Sequence, residues 1–216
     1  MSTGFKRHYE ERKERPCIFV FTEGTVTEPA YFRALKSDLR LSSLDIQVVG
    51  TGFNTLSLVD HVIEVVKKIP LDREIGDEVW VVFDRDDFEA NFNNAINKAK
   101  AHGIHVAYSN ECFELWFLLH FELYSADNGR KEYFNKLGER LKVYTKNKIK
   151  DYEKNCTDMY WMLLPLQASA IKRSKTLLET HADPDDFVKN CPSTTVHDLV
   201  VRLNDLNSAS EIGLTN

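Results

Sequence analysis

Through the first half of the chain, short apolar runs alternate with segments of helical periodicity. Residues 17–21 (CIFVF) are continuously apolar, as in a strand buried in a parallel sheet. The loop Thr22-Glu23-Gly24-Thr25 follows. Thr27 then caps a helix with Glu28 and Pro29 in its first turn and Tyr31, Phe32 and Leu35 on its apolar face. The same unit recurs. Residues 46–49 read as a strand ending at Gly50 and Gly52, and Asn54 or Thr55 caps a helix carrying Leu56, Val59, Ile63 and Val66. Residues 79–83 (VWVVF) are the strongest strand and end at Asp84. Phe92, Ala95, Ile96 and Ala99 mark the next helix, which Gly103 stops. A fourth strand at 104–108 and a fourth helix at 111–121, capped by Asn110, complete the series. Four strand–helix alternations predict an α/β fold with a mainly parallel sheet flanked by helices.

Beyond residue 122 the strand-like runs disappear. Helices are predicted over 130–141, 159–178 and 194–206, the last with Val196, Leu199, Val200 and Leu203 on one face and Ser193, Thr194 and Thr195 as its cap. This C-terminal helical region is expected to pack on the sheet. Between the first two of its helices lies a lysine-rich stretch with Lys142, Lys146, Lys148, Lys150 and Lys154. The expected organisation is a charged arm at 1–15, an α/β core at 16–124 and a helical region of the same domain at 125–216.

Composition narrows the function. The 216 residues are 43% hydrophobic, enough for one sizeable core. The net charge of −5 excludes a globally basic nucleic-acid binder, so any nucleic acid must be held by a local basic surface or through bridging metal ions. Cys17, Cys112, Cys156 and Cys191 form no CxxC pair and read as free thiols of a reducing cytosol, so a cytoplasmic location is expected. The charged first fifteen residues do not read as a signal peptide, and no apolar run is long enough to span a bilayer. No GxxxxGK[ST] occurs, so the chain is not itself a P-loop ATPase.

The candidate chemistry is acidic. Asp84-Arg85-Asp86-Asp87 directly follows the strongest strand, where open α/β sheets bind ligands. Asp84 and Asp86 point the same way if the backbone stays extended. Two convergent carboxylates repel and need a cation or a proton, and magnesium suits hard oxygen ligands. The alternative is an ordinary acidic loop capping the next helix. Glu23 also follows a buried strand and faces the Asp pair if the first and third strands are neighbours; otherwise it is a loop residue that accepts backbone amides. Glu114 lies on a helix that is apolar nearly all round, where a charge is costly unless paired or metal-bound. The other reading of Glu114 is a solvated first-turn residue. His120 reads as a hydrogen-bonded core histidine. Thr194, Thr195 and His197 could hold a phosphate if their cap faces the acidic site. Lys146, Lys148, Lys150, Lys154 and Arg173 are candidate backbone contacts, with Tyr144 and Tyr152 available to stack on bases; a solvated helical face is the plainer alternative.

Four blocks, FVFTEGTVTEPAYF, VVFDRDD, SNECFELWFLLHFE and CPSTTVHDLV, resemble the RloB family over about residues 16–205. RloB proteins look like Toprim-fold nucleases, a fold defined by a Glu after its first core strand and an Asp-x-Asp after a later one. Those positions fall on Glu23, Asp84 and Asp86, with Asp87 and Glu114 as further candidate ligands. Relatives often carry Asn-Pro where this chain has Asn110-Glu111 and Cys191-Pro192. The resemblance implies a prokaryotic anti-phage defence protein of the abortive-infection or restriction-linked kind. It also implies Mg2+ (or Mn2+), a DNA or RNA substrate, transfer RNA included, and an AAA- or ABC-type ATPase encoded nearby. The mechanism expected is metal-assisted hydrolysis, with Glu23 as ligand or general base. Two alternatives are a non-catalytic metal- and nucleic-acid-binding subunit, and a haloacid-dehalogenase-type phosphotransferase. The latter normally carries its Asp-x-Asp on the first strand and would leave Glu23 idle.

Overall fold

The computed structural model describes residues 16–41, 46–85, 89–154 and 156–212. The charged arm at 1–15, Asp86 and Asp87 lie outside them. Five strands form one sheet: β1 (Ile18–Thr22), β2 (Ile46–Gly50), β3 (Glu78–Asp84), β4 (His105–Asn110) and β5 (Ser193–Thr194). Their order is β2-β1-β3-β4-β5. The first four run parallel, and β5 pairs antiparallel with β4. This is the α/β architecture the alternating pattern predicts.

β1 and β3 are central and buried on both faces, which is why they read as continuous apolar runs. The pleat still sorts their side chains. Val20, Trp80 and Val82 face one core, and Phe21, Val79, Val81 and Phe83 face the other. On the second side the sheet packs under α2 (Thr55–Val66) and α3 (Glu89–Ala101), through residues such as Leu58, Val62, Phe92 and Ile96. On the first side lie α1 (Thr27–Asp38), α4 (Glu114–Leu119), α5 (Arg130–Tyr144), α6 (Met159–Leu163), α7 (Gln167–Glu179) and α8 (Val196–Ile212). Their apolar residues join those of β1 and β3 in one continuous core, so the C-terminal helical region packs on the sheet.

Several local expectations change. The fourth helix is shorter than 111–121, and Asn110 does not cap it. Phe113 holds the cap position, and the Asn110 amide donates instead to the carbonyls of Phe187, Val188 and Asn190. Thr27 opens α1 but does not cap it: Val26 holds the cap position with no side-chain bond, and the Thr27 hydroxyl donates to the Lys154 carbonyl at 2.7 Å. Asn54 does cap α2, accepting from the Ser57 amide. The segment at 159–178 is broken into α6 and α7 by a 3₁₀ turn, Leu164–Leu166, containing Pro165, which cannot sit inside a helix without losing a hydrogen bond. Strand β5 has no counterpart in the pattern of apolar runs. The peptide bonds at Asn110-Glu111 and Cys191-Pro192 are both cis.

Candidate functional site

β1 and β3 are parallel neighbours, with Thr22 opposite Val82, so their carboxyl ends emerge side by side. The Glu23 amide extends the ladder one residue further by donating to the Val82 carbonyl at 2.9 Å. The side chain of Glu23 then turns towards β3, and its Oε2 accepts the Asp84 amide at 3.2 Å. The condition set by the sequence is therefore met: Glu23 and Asp84 lie together at the carboxyl edge of the sheet.

A third carboxylate reaches this edge from the first turn of α1. Glu28 is buried, and its side chain lies directly over Gly24, where a Cβ would stand 2.1 Å from Glu28 Oε2. Gly24 is therefore needed for close approach of the carboxylate to the loop. Glu28 accepts its own amide and that of Gly24, which favours the charged form. Burial is the larger effect and raises its pKa, and the Glu114 charge pushes the same way against Lys154. Glu28 was read from the sequence only as a first-turn helix residue.

Glu114, at the start of α4, is the fourth. It is 2% exposed, and its Oε1 accepts the Tyr152 hydroxyl at 2.9 Å. Asp84 is only half-buried as a residue, but its Oδ1 is enclosed and has no hydrogen-bond partner among the described residues. Its pKa is raised well above the ordinary range, first by burial, then by the charges of Glu28 and Glu114, with Glu23 adding to them and Arg130 opposing. The buried Cys112 thiol is held well up by burial and by Glu114 and Asp84. Although no three of these carboxylates bring ligand atoms within 4.8 Å of one another, they lie near enough to act on Asp84 electrostatically, and a hard cation would relieve that repulsion. The enclosed, unpartnered Oδ1 of Asp84 fits such a group.

The other candidates divide. Lys146, Lys148, Lys150 and Lys154 are exposed. Their segment leads into the acidic site, because Thr27 bonds the Lys154 carbonyl and Tyr152 bonds Glu114. Arg173 instead donates Nη1 to the Leu119 and His120 carbonyls and closes the end of α4. Thr194 is buried, with its hydroxyl bonded to Ser109 and the Tyr108 carbonyl, and the Thr195 hydroxyl accepts the Tyr108 amide. His197 is buried against Ser174, 2.8 Å from its hydroxyl, with Asp198 at 3.1 Å. Thr194 and Thr195 thus tie β5 to β4, and His197 ties α8 to α7, so the hydroxyls and the ring are spent on packing contacts. His120 is a core residue: its Nδ1 lies 2.9 Å from the Trp116 carbonyl, and burial lowers its pKa to about 4.

Among the described residues, Glu111, Asp127 and Cys191 are the one set of three whose potential ligand atoms all lie within 4.8 Å of one another. One member of this set is ion-paired. Arg85 Nη2 lies 2.9 Å from Glu111 Oε1, and burial together with Asp127 pushes the Cys191 thiol up to about 12, so it keeps its proton at neutral pH.

A mostly parallel sheet flanked by helices, with Glu23 and Asp84 at the carboxyl ends of its central strands, defines an α/β protein with an acidic sheet edge. The family model described as RloB-like protein matches residues 18–203, and the chain belongs to that family. No curated protein and no solved structure matches it. The four cysteines are free, and no helix among the described residues is long and apolar enough to cross a membrane.

Proposed function

We propose that the chain is a Mg2+- or Mn2+-dependent nuclease of Toprim type, acting in the cytoplasm in prokaryotic anti-phage defence with a partner ATPase. The observation that carries this reading is the buried, unpartnered Asp84 Oδ1 among Glu23, Glu28 and Glu114. Membership of the RloB-like family supports the defence role. Asp84 and Glu23, joined through the Asp84 amide, would begin the ligand set, with Glu28 and Glu114 close enough to act on Asp84 and with Asp86 and Asp87 added on the sequence argument. When bound, the ion would supply electrostatic stabilisation of charge developing on the phosphate oxygens. Glu23, half-buried at the sheet edge, would accept a proton from attacking water or complete the ligand set. Arg130 and Lys154 offset the acidic charge and favour approach of a polyanion. The need for a partner follows from the net charge of −5, which makes the chain a poor autonomous nucleic-acid clamp.

The test is incubation of the purified chain with defined DNA and RNA pools in magnesium, manganese or chelator, followed by sequencing of the new ends. Metal-dependent ends at reproducible positions are expected. Their absence, with and without the neighbouring ATPase, rejects the enzyme reading. A trapped aspartyl phosphate would reassign the site to phosphotransfer.

The lysine segment gives a second expected result. Replacing Lys146, Lys148 and Lys150 by Ser should weaken binding and reduce the slope of log K against log salt by up to about 2–3. Cleavage of the bound complex should be unchanged. An unaltered slope would return these lysines to a solvated face.

A further inference from the structure

The loop between β2 and α2 carries an exposed aromatic ring at the edge of the acidic site. Phe53 is 42% exposed. Its loop is tied to both central acidic residues. On one side, the Thr51 amide and hydroxyl donate to the Thr22 carbonyl at 3.0 and 2.9 Å, and the Gly52 amide donates to the Glu23 carbonyl at 3.0 Å. On the other, the Thr55 hydroxyl donates to the Asp84 carbonyl at 3.3 Å. Gly52, with φ of 71°, makes the turn that presents Phe53, whose own amide bonds the Thr51 hydroxyl. The ring is backed by His61 of α2, with centroids 4.7 Å apart and planes tilted by 40°. Val26, 48% exposed, lies on the adjoining β1–α1 loop, whose Thr25 would be 3.4 Å from a Cβ at Gly52.

We propose that Phe53 is a base-stacking residue, and that the substrate is therefore a strand with an unpaired base beside the scissile phosphodiester. The inference rests on the nuclease reading and narrows its substrate class. An aromatic ring held by three loop anchors, supported from behind and open to solvent, matches what single-strand binders use: every base has a π-face, and a fixed ring orders it at little entropic cost. In a duplex each base face is already covered by its neighbours, so the ring would have nothing to stack on. Because the loop is bonded to the Glu23 and Asp84 backbones, a base on Phe53 would set the position of its own phosphate relative to the carboxylates.

The experiment uses the full chain carrying Glu23→Gln, with and without Phe53→Ala or Phe53→Trp, in magnesium. The probes are fluorescein-labelled DNA and RNA single strands of about 12 nucleotides and the corresponding blunt duplexes. Single strands should bind more tightly than duplexes. Phe53→Ala should weaken single-strand binding about 5- to 150-fold, equivalent to about 1–3 kcal/mol for one stacked base, and Phe53→Trp should restore it. A 2-aminopurine placed next to the cleavage position should be quenched on binding unless residue 53 is Ala. Single-strand binding and quenching that survive Phe53→Ala, or duplexes bound as tightly as single strands, would overturn this inference while the cleavage assay still stood. Failure of the unmodified chain to bind or cut any of these probes would instead overturn the nuclease reading, and this one with it.

Discussion

Glu23→Gln is expected to lower phosphodiester cleavage by about 10²–10³-fold or more while leaving the protein folded. The fold should survive because Gln has the same shape and its amide oxygen can still accept the Asp84 amide, the contact Glu23 Oε2 makes at 3.2 Å. What is lost is the negative charge and the basicity, which matter to a metal ion or an attacking water and not to the β1–β3 pairing. Asp86→Asn should behave alike on the sequence argument. The double variant should cost little more than either single one, since groups acting on one ion fail together. Circular dichroism and melting curves verify the fold, and single-turnover cleavage measures the loss. A rate within a few-fold of wild type for Glu23→Gln would remove Glu23 from the site.

Where the site could be read from sequence, strands positioned it. Glu23 and Asp84 each follow a continuous apolar run, and buried parallel strands are easily recognised by that pattern. Their meeting depended on strand order, which periodicity does not encode; pairing of β1 with β3 supplied it. Glu114 could be suspected because a lone acid on an all-apolar helix must have a partner, and Tyr152 proved to be one. Glu28 could not, because a glutamate in a first helical turn ordinarily faces water and interacts with the helix dipole. Only the approach of the Glu28 carboxylate to Gly24 marks it as different, and that is a tertiary contact. The same holds for Thr194, Thr195 and His197. Hydroxyls before an apolar periodic segment read as a cap, yet here they mostly bridge to β4 through Ser109 and Tyr108. A two-residue strand such as β5 has too little length for any alternation to show. Arg173 looked like a phosphate contact because charge on a helix face does not reveal that two carbonyls at the end of α4 lie within its reach.

In chelator, Asp84→Asn is expected to melt at a higher temperature than wild type. Asp84 is placed where burial and the charges of Glu28, Glu114 and Glu23 all disfavour its ionised form. Its pKa in the folded, metal-free protein is thus above that of the unfolded chain. A carboxyl raised in this way supports the fold fully below its unfolded pKa, and that support is lost as pH rises through the higher folded value. By neutral pH the metal-free wild type has therefore lost support that it has in acid, whereas Asn is uncharged and nearly the same shape. For a chain of this size each kcal/mol relieved corresponds to about 2–4 °C in melting temperature. The gap between variant and wild type should widen from acid to neutral pH. Added magnesium or manganese should reverse the trend. An ion bound only by the native state stabilises by mass action, about 2.7 kcal/mol at a hundred times its Kd, and the variant, lacking one ligand charge, should gain much less. The two melting temperatures should converge and then cross as metal is added. A solvated acidic loop predicts a small effect of the substitution and the same metal response in both proteins. Identical shifts across the titration would show that Asp84 holds no ion, and the buried Oδ1 would then need another partner.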